Sequence, residues 1–229
     1  MQKLYIGNKN YSSWSMRPWV LLTQFGIAFE EVYVRFDSFD APSQFKTTLN
    51  AVSPVGKVPV WVDGQLVVWD SLAIAETLAE QHPDKNLWPS DPHARARARS
   101  VCAEMHSGFG ALRSHCQMNI EAHLPEVGQI VWRDQPAVRA DVARLVAMWT
   151  GLLDTYGGPM LFGAFSIADA FFAPVCMRLN SYALPLPPAI QAYVDRVTAL
   201  PSVQAWIKDA LAEHDFLSFE EPYRAAKLS

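Results

Sequence analysis

The chain has 229 residues, half of them apolar and 12% aromatic, with a formal net charge of −4. That composition is too rich in core-forming residues for a disordered chain, and its acidic balance argues against a nucleic-acid surface, which needs a basic excess. No apolar run approaches the roughly 20 residues of a bilayer span, and the N-terminus MQKLYIGNKN carries no long apolar leader.

Three cysteines, Cys102, Cys116 and Cys176, have no CxxC spacing, and their odd number excludes full internal pairing. A reducing, cytoplasmic setting is expected, with neither nucleic acid nor membrane as partner. From Lys3 to His82, short extended runs alternate with amphipathic stretches. Strands are predicted at Lys3–Ile6, Glu30–Arg35, Val58–Val62 and Gln65–Trp69, where β-branched and aromatic residues cluster between turn signals. Helices are predicted near Met16–Phe25 and Ser71–Glu80, with a less regular segment between the second and third strands. Strands one and two flank a helix and should pair in parallel, while Asp63-Gly64 should close an antiparallel hairpin through a type I′ turn.

Residues 82–92 hold three prolines and read as a linker. Beyond it helical periodicity takes over. Ala98, Val101, Cys102, Met105, Phe109, Leu112 and Cys116 follow 3–4 spacing, one apolar stripe over about five turns of a single helix. Further helices are predicted from about Pro136 to Tyr156, from Ser166, and near Pro201. The expected organisation is a small α/β domain at 1–81, a linker at 82–92 and an all-α domain at 93–229.

Three local signals carry chemistry. In Tyr11-Ser12-Ser13-Trp14-Ser15-Met16-Arg17-Pro18, Ser15 is a good N-cap and Pro18 would fall in the first helical turn. That helix end favours an anion, and hydroxyls beside it can donate to a thiolate. A serine-rich cap is the plain structural alternative. In Ser53-Pro54-Val55-Gly56-Lys57-Val58-Pro59, a cis Val58–Pro59 peptide would turn the Val58 main chain outward to pair with a peptide-like ligand. A trans proline opening a strand is the plain alternative. In Asp70-Ser71, either a helix cap or a clamp is available, the carboxylate taking an ammonium and the hydroxyl and N–H taking a carboxylate. Together the three supply a thiolate site, a peptide-pairing edge and an amino-acid clamp, which match the cysteinyl and γ-glutamyl groups of glutathione.

On these residues the chain resembles the cytosolic glutathione transferase superfamily, serine type, nearest to the zeta class. The matching features are Ser12-Ser13-Trp14-Ser15-Met16-Arg17, Gly26-Ile27, Val58-Pro59 and Asp70-Ser71, followed by the N-capping box in Phe162-Gly163-Ala164-Phe165-Ser166-Ile167-Ala168-Asp169. The resemblance implies a thioredoxin-like N-terminal domain, an all-helical C-terminal domain, glutathione as co-substrate, no metal, and a homodimer. It makes Ser12 the catalytic hydroxyl, with Ser13 and Trp14 in the same binding stretch. Val58 becomes the backbone partner of the cysteinyl unit, with Pro59 cis. Asp70 and Ser71 hold the γ-glutamyl end, and Gln44 or Lys57 reaches the glycyl carboxylate. Trp14 stands where zeta enzymes carry Cys, and Asp70 replaces a longer Glu or Gln.

The implied reaction is attack of the glutathione thiolate on a small hydrophobic electrophile. Met105, His106, Phe109 and Arg113 are the candidates for the second-substrate pocket, and Tyr11 is an alternative thiolate partner. Because no Cys precedes residue 102, mixed-disulfide chemistry at the helix start is disfavoured. The rival readings are a glutathione-dependent cis–trans isomerase of the maleylacetoacetate or maleylpyruvate type, and a non-catalytic glutathione-binding protein.

Overall fold

The computed structural model describes residues 2–40, 42–221 and 223. Its first part runs β1 (Lys3–Ile6), α1 (Ser13–Gln24), β2 (Glu30–Tyr33), α2 (Gln44–Asn50), β3 (Val60–Asp63), β4 (Leu66–Trp69) and α3 (Ser71–Gln81). The strands form one mixed sheet in the order β2-β1-β3-β4. Strands β1 and β2 are parallel, Lys3 opposite Glu30 and Ile6 opposite Tyr33, whereas β3 runs antiparallel to both β1 and β4. This is the thioredoxin-like arrangement, and Val58–Pro59 is cis at the entrance to β3.

The rest is helical among the described residues: α4 (Pro92–Ser107), α5 (Gly110–His115), α6 (Pro125–Asp134), α7 (Pro136–Tyr156), α8 (Ile167–Ser181), α9 (Pro188–Thr198) and α10 (Pro201–Glu213). Helix α8 is the hub, with Asn180 its one residue that is not buried. Its start is fixed by a capping box. Ser166 Oγ accepts from the Ala168 N–H at 3.3 Å, and Asp169 Oδ2 accepts from the Ser166 N–H at 2.9 Å. Helix α1 packs against both α8 and α10. One apolar core therefore runs from Leu4, Ile6 and Trp61 of the sheet to Trp149, Phe171 and Trp206 of the helices. Burying each such side chain contributes about 1.5–3 kcal/mol.

Several boundaries differ from the sequence expectation. Helix α1 begins at Ser13, with Ser12 as N-cap, so Ser15 lies inside the helix and Pro18 is its sixth residue. There the proline removes the hydrogen bond that the Trp14 carbonyl would accept. The β3–β4 turn is Gly64-Gln65, because Asp63 already pairs with Leu66. Gly64 has a positive φ of 61° and Gln65 does not, which excludes a type I′ turn. The single helix expected around residues 98–116 is broken between α4 and α5. At Gly108 an added Cβ would lie 2.7 Å from the Glu104 carbonyl oxygen, and Phe109 follows with φ 55°. All seven residues of the stripe are nonetheless buried. The irregular segment contains α2, and α6 and α9 were not anticipated, although Pro125 and Pro188 each sit at a helix start, where proline is favoured.

Candidate active site

The site grows from the start of α1. The Met16 N–H reaches the Ser12 carbonyl at 3.1 Å, so the backbone itself opens the helix at Ser12. Unlike α2, α3 and α4, capped by Ser43, Asp70 and Asp91, helix α1 has no side-chain cap. Its positive end is left for something else. The Ser12 hydroxyl is buried and donates to Ser15 Oγ at 2.7 Å, which also accepts from the Gly7 N–H at 3.2 Å. Ser13 Oγ instead accepts from Arg178 Nη2 at 3.2 Å. Tyr11 lines the same cavity as Ser12, and its hydroxyl lies 3.0 Å from the Asp215 carbonyl and 2.5 Å from Glu221 Oε1. Burial and the Glu221 contact push the Tyr11 pKa up.

Above this helix end lies a cavity of about 650 Å³. Ser12, Ser13 and Trp14 form part of its wall, with Lys57 and Val58 from the segment before β3. Phe36, Phe39 and Phe45 line one side, and the three rings pack edge-on with centroids 5.1 to 5.9 Å apart. The C-terminal half contributes Arg113, Met118, Arg178 and Glu220. Among the described residues four cations, Lys46, Lys57, Arg113 and Arg178, thus face the cavity against one carboxylate, that of Glu220. An anionic ligand suits that balance. Burial lowers the Arg178 pKa to about 10, which leaves it charged at neutral pH, and it raises that of Glu220.

Beside the cavity, Trp14 joins it to a second group of residues. Arg17, 2% exposed, stacks its guanidinium 4.2 Å from the Trp14 ring centroid and 4.9 Å from that of Phe171. Its Nη1 donates to Ser71 Oγ at 3.3 Å, while its Nε has no hydrogen-bond partner. Asp70 is the N-cap of α3 with φ 75°, its Oδ1 accepting from the Leu72 N–H at 2.8 Å. Asp70 Oδ2 lies 3.1 Å from His106 Nε2, and the His106 ring meets Trp14 edge-on at 5.1 Å. Among the described residues no group of three or more His, Cys, Asp or Glu is placed to hold a metal ion, and no helix is long and apolar enough to cross a membrane.

Comparison with known proteins gives this geometry its context. The model for the glutathione S-transferase N-terminal domain matches residues 11–81, and that for the C-terminal domain matches residues 92–209. The chain belongs to the glutathione S-transferase family. A probable maleylacetoacetate isomerase of Caenorhabditis elegans is 32% identical over 188 residues, 81% of this chain and 82% of that protein. Glutathione S-transferase F14 of Arabidopsis thaliana is 30% identical over 212 residues, 87% and 80% of the two chains. Among solved structures, a glutathione transferase homolog from Burkholderia GL BGR1 with bound glutathione matches with a TM-score of 0.67 and 27% identity, over 93% of this chain and 99% of that one.

Within this transferase fold the residues singled out from the sequence are placed unevenly. Ser12, Ser13, Trp14, Lys57, Val58 and Arg113 share the cavity wall. Pro59 is buried behind Val58 in the chain, and Asp70 and Ser71 lie at the α3 start beside the Trp14 group. Gln44 is exposed on α2 and donates to Thr48 Oγ1 at 3.2 Å, whereas Lys46, two residues on, lines the cavity. Met105 and Phe109 are core residues at 1% and 6% exposure, and His106 turns to Asp70. These three are not among the residues that line the cavity. Lys46, Arg178 and Glu220 were missed. Lys46 sits in a segment read as irregular, and Arg178 is one charge inside an apolar helix.

Proposed function

We propose that this transferase-family chain binds glutathione in the 650 Å³ cavity and activates it as a thiolate for attack on a small hydrophobic electrophile. The observation that carries the reading is the uncapped start of α1, with its serine hydroxyls, opening into a cavity of positive balance. Glutathione is itself an anion, and its thiolate adds one more negative charge. The sulfur sits at the α1 start with Ser12 as its hydroxyl donor, the Ser12 proton turning from Ser15 to the ligand. The cysteinyl unit pairs with the Val58 main chain, the glycyl carboxylate meets Lys57 or Lys46, and the γ-glutamyl end reaches Asp70 and Ser71. The thiol proton leaves to solvent. The thiolate lone pair then forms a C–S bond while the leaving group departs with the electrons of the bond it breaks. Domains at 1–81 and 93–229 joined by a linker at 82–92, a homodimeric assembly, a cytoplasmic location and a role in detoxification belong to the same reading.

A second reading, cis–trans isomerisation of an unsaturated dicarboxylate by reversible thiolate addition, is favoured by Arg113 and Arg178 in the cavity wall and by the name of the nematode relative. Calorimetric titration of glutathione, followed by assays of chloronitroarene conjugation and of maleylacetoacetate isomerisation, separates the two. Heat with conjugation supports the first, heat with isomerisation alone supports the second, and no heat overturns both.

A further inference from the structure

Arg178 approaches the start of α1 from the other half of the molecule, 165 positions along the chain from Ser13. It is 7% exposed and its guanidinium is fixed on both sides. Nη1 donates to the Cys116 carbonyl at 2.6 Å and to the Arg113 carbonyl at 3.3 Å, and Nη2 donates to Ser13 Oγ at 3.2 Å. Those bonds occupy Arg178 with neutral acceptors. Among the described residues no carboxylate lies within ion-pair distance of it. A buried cation whose hydrogen-bond partners are all neutral is costly, and an anion placed in the adjoining cavity relieves that cost.

We propose that Ser13 is a second hydroxyl donor to the glutathione sulfur and that Arg178 is its positioning residue, holding the Ser13 hydroxyl toward the cavity and lowering the thiol pKa by its charge. The proposal rests on glutathione occupying this cavity. Hydroxyl geometry sets the two serines apart. Ser12 directs its proton to Ser15. Ser13 takes a hydrogen bond on its oxygen from Arg178, so its proton is free to point to the cavity that both residues line. A hydroxyl that accepts from a guanidinium is also a stronger donor.

Other charges face Arg178 from each packed element. Arg17 on α1 and Arg113 on α5 are like charges, Cys116 and Tyr182 are neutral neighbours, and Glu220 is the facing carboxylate. Burial raises the Glu220 pKa and so weakens it as a counterion. Lys46 and Lys57 line the same cavity and add positive potential that a change at Arg178 leaves in place.

The test reads the pKa of bound glutathione from the ultraviolet absorbance of its thiolate as pH is varied, with affinity measured calorimetrically on the same samples and folding followed by circular dichroism. Arg178→Gln is expected to raise the thiol pKa by about 1 unit or more, the usual size of an opposite charge at close range. Arg178→Lys, which keeps the charge, should stay nearer the wild-type value than Arg178→Gln. Ser13→Ala should raise the pKa while the protein still binds glutathione. A folded Arg178→Gln that binds glutathione with an unchanged thiol pKa overturns the role of Arg178 and leaves the glutathione site standing. If Arg178→Gln fails to fold, Ser13→Ala decides, and an unchanged pKa there overturns the proposal. Absence of glutathione binding by the wild-type protein instead overturns the cavity assignment beneath it.

Discussion

Helices α1 and α8 both have a serine at the N-cap, and the two ends are used in opposite ways. At α8 every donor is satisfied from within: Asp169 accepts from the Leu161 and Ser166 N–H groups and from the Tyr193 hydroxyl, wholly out of water. At α1 no side chain caps the helix, and its serines stand at a cavity wall. The same residue type at the same kind of position therefore closes one helix and opens the other. What separates them is where the hydroxyl and the nearest carboxylate sit in three dimensions. An acid three residues on seals α8, whereas α1 has no acidic residue in its first turn.

The strongest challenge to this contrast is Asp169→Ala, which orphans buried donors and should cost about 3 kcal/mol, close to 10 °C in Tm. A thermal melt checks it, and an unchanged Tm would mean that the α8 start is not held by this carboxylate. The same group gives a pH signature. Burial holds its pKa up at about 6 against an ordinary 3.8, so between those values the folded chain keeps a proton that the unfolded chain has lost. Asp169 thus favours folding fully below pH 3.8, and that contribution fades as pH rises through 6. Urea unfolding of the wild type and Asp169→Asn from acid to neutral pH should show this slope in the first and its loss in the second.

At the open end the expectation reverses. Ser12→Ala should lower kcat/KM by about 100-fold, the usual loss of a hydroxyl donor to a developing anion, with stability nearly intact because the backbone sets the helix start. Steady-state kinetics beside a melt test this, and an unchanged rate transfers the role to Ser13. Asp70→Ala mixes the two behaviours. It should cost about 1 kcal/mol of stability through the lost cap and about tenfold in glutathione affinity, read by calorimetry. Gln44→Ala should do least, changing affinity by no more than roughly twofold, since its side chain is turned to Thr48.

What the sequence makes legible is what short-range chemistry determines. The strand Lys3–Ile6, the helix Pro136–Tyr156 and the Ser166–Asp169 cap all appear where local pattern places them. The α4–α5 break was readable in Gly108 and Gly110, yet the continuous apolar stripe outweighed it. Residues brought in by tertiary packing were not readable. Nothing near position 178 announces an encounter with Ser13, and nothing near position 106 announces Asp70. The start of α1 shifted by three residues because Ser15 satisfies every local criterion for a cap, while the loop bonds of Asn8, which hold Ser12 in place, are set by packing.

The loop carrying Ser12 is shaped by residues from the far end of the chain. The Lys9 and Asn10 N–H groups both donate to Glu213, the Lys9 carbonyl accepts from Trp206 Nε1, and Asn8 donates to Asp215. Lys9 itself lies 4.5 and 5.5 Å from the ring centroids of Trp19 and Trp206. During translation the Ser12 loop emerges from the ribosome long before the helix that shapes it. The loop can therefore take its native bonds only once synthesis has passed α10, and a protease that trims this distal helix removes partners of a loop some two hundred residues upstream.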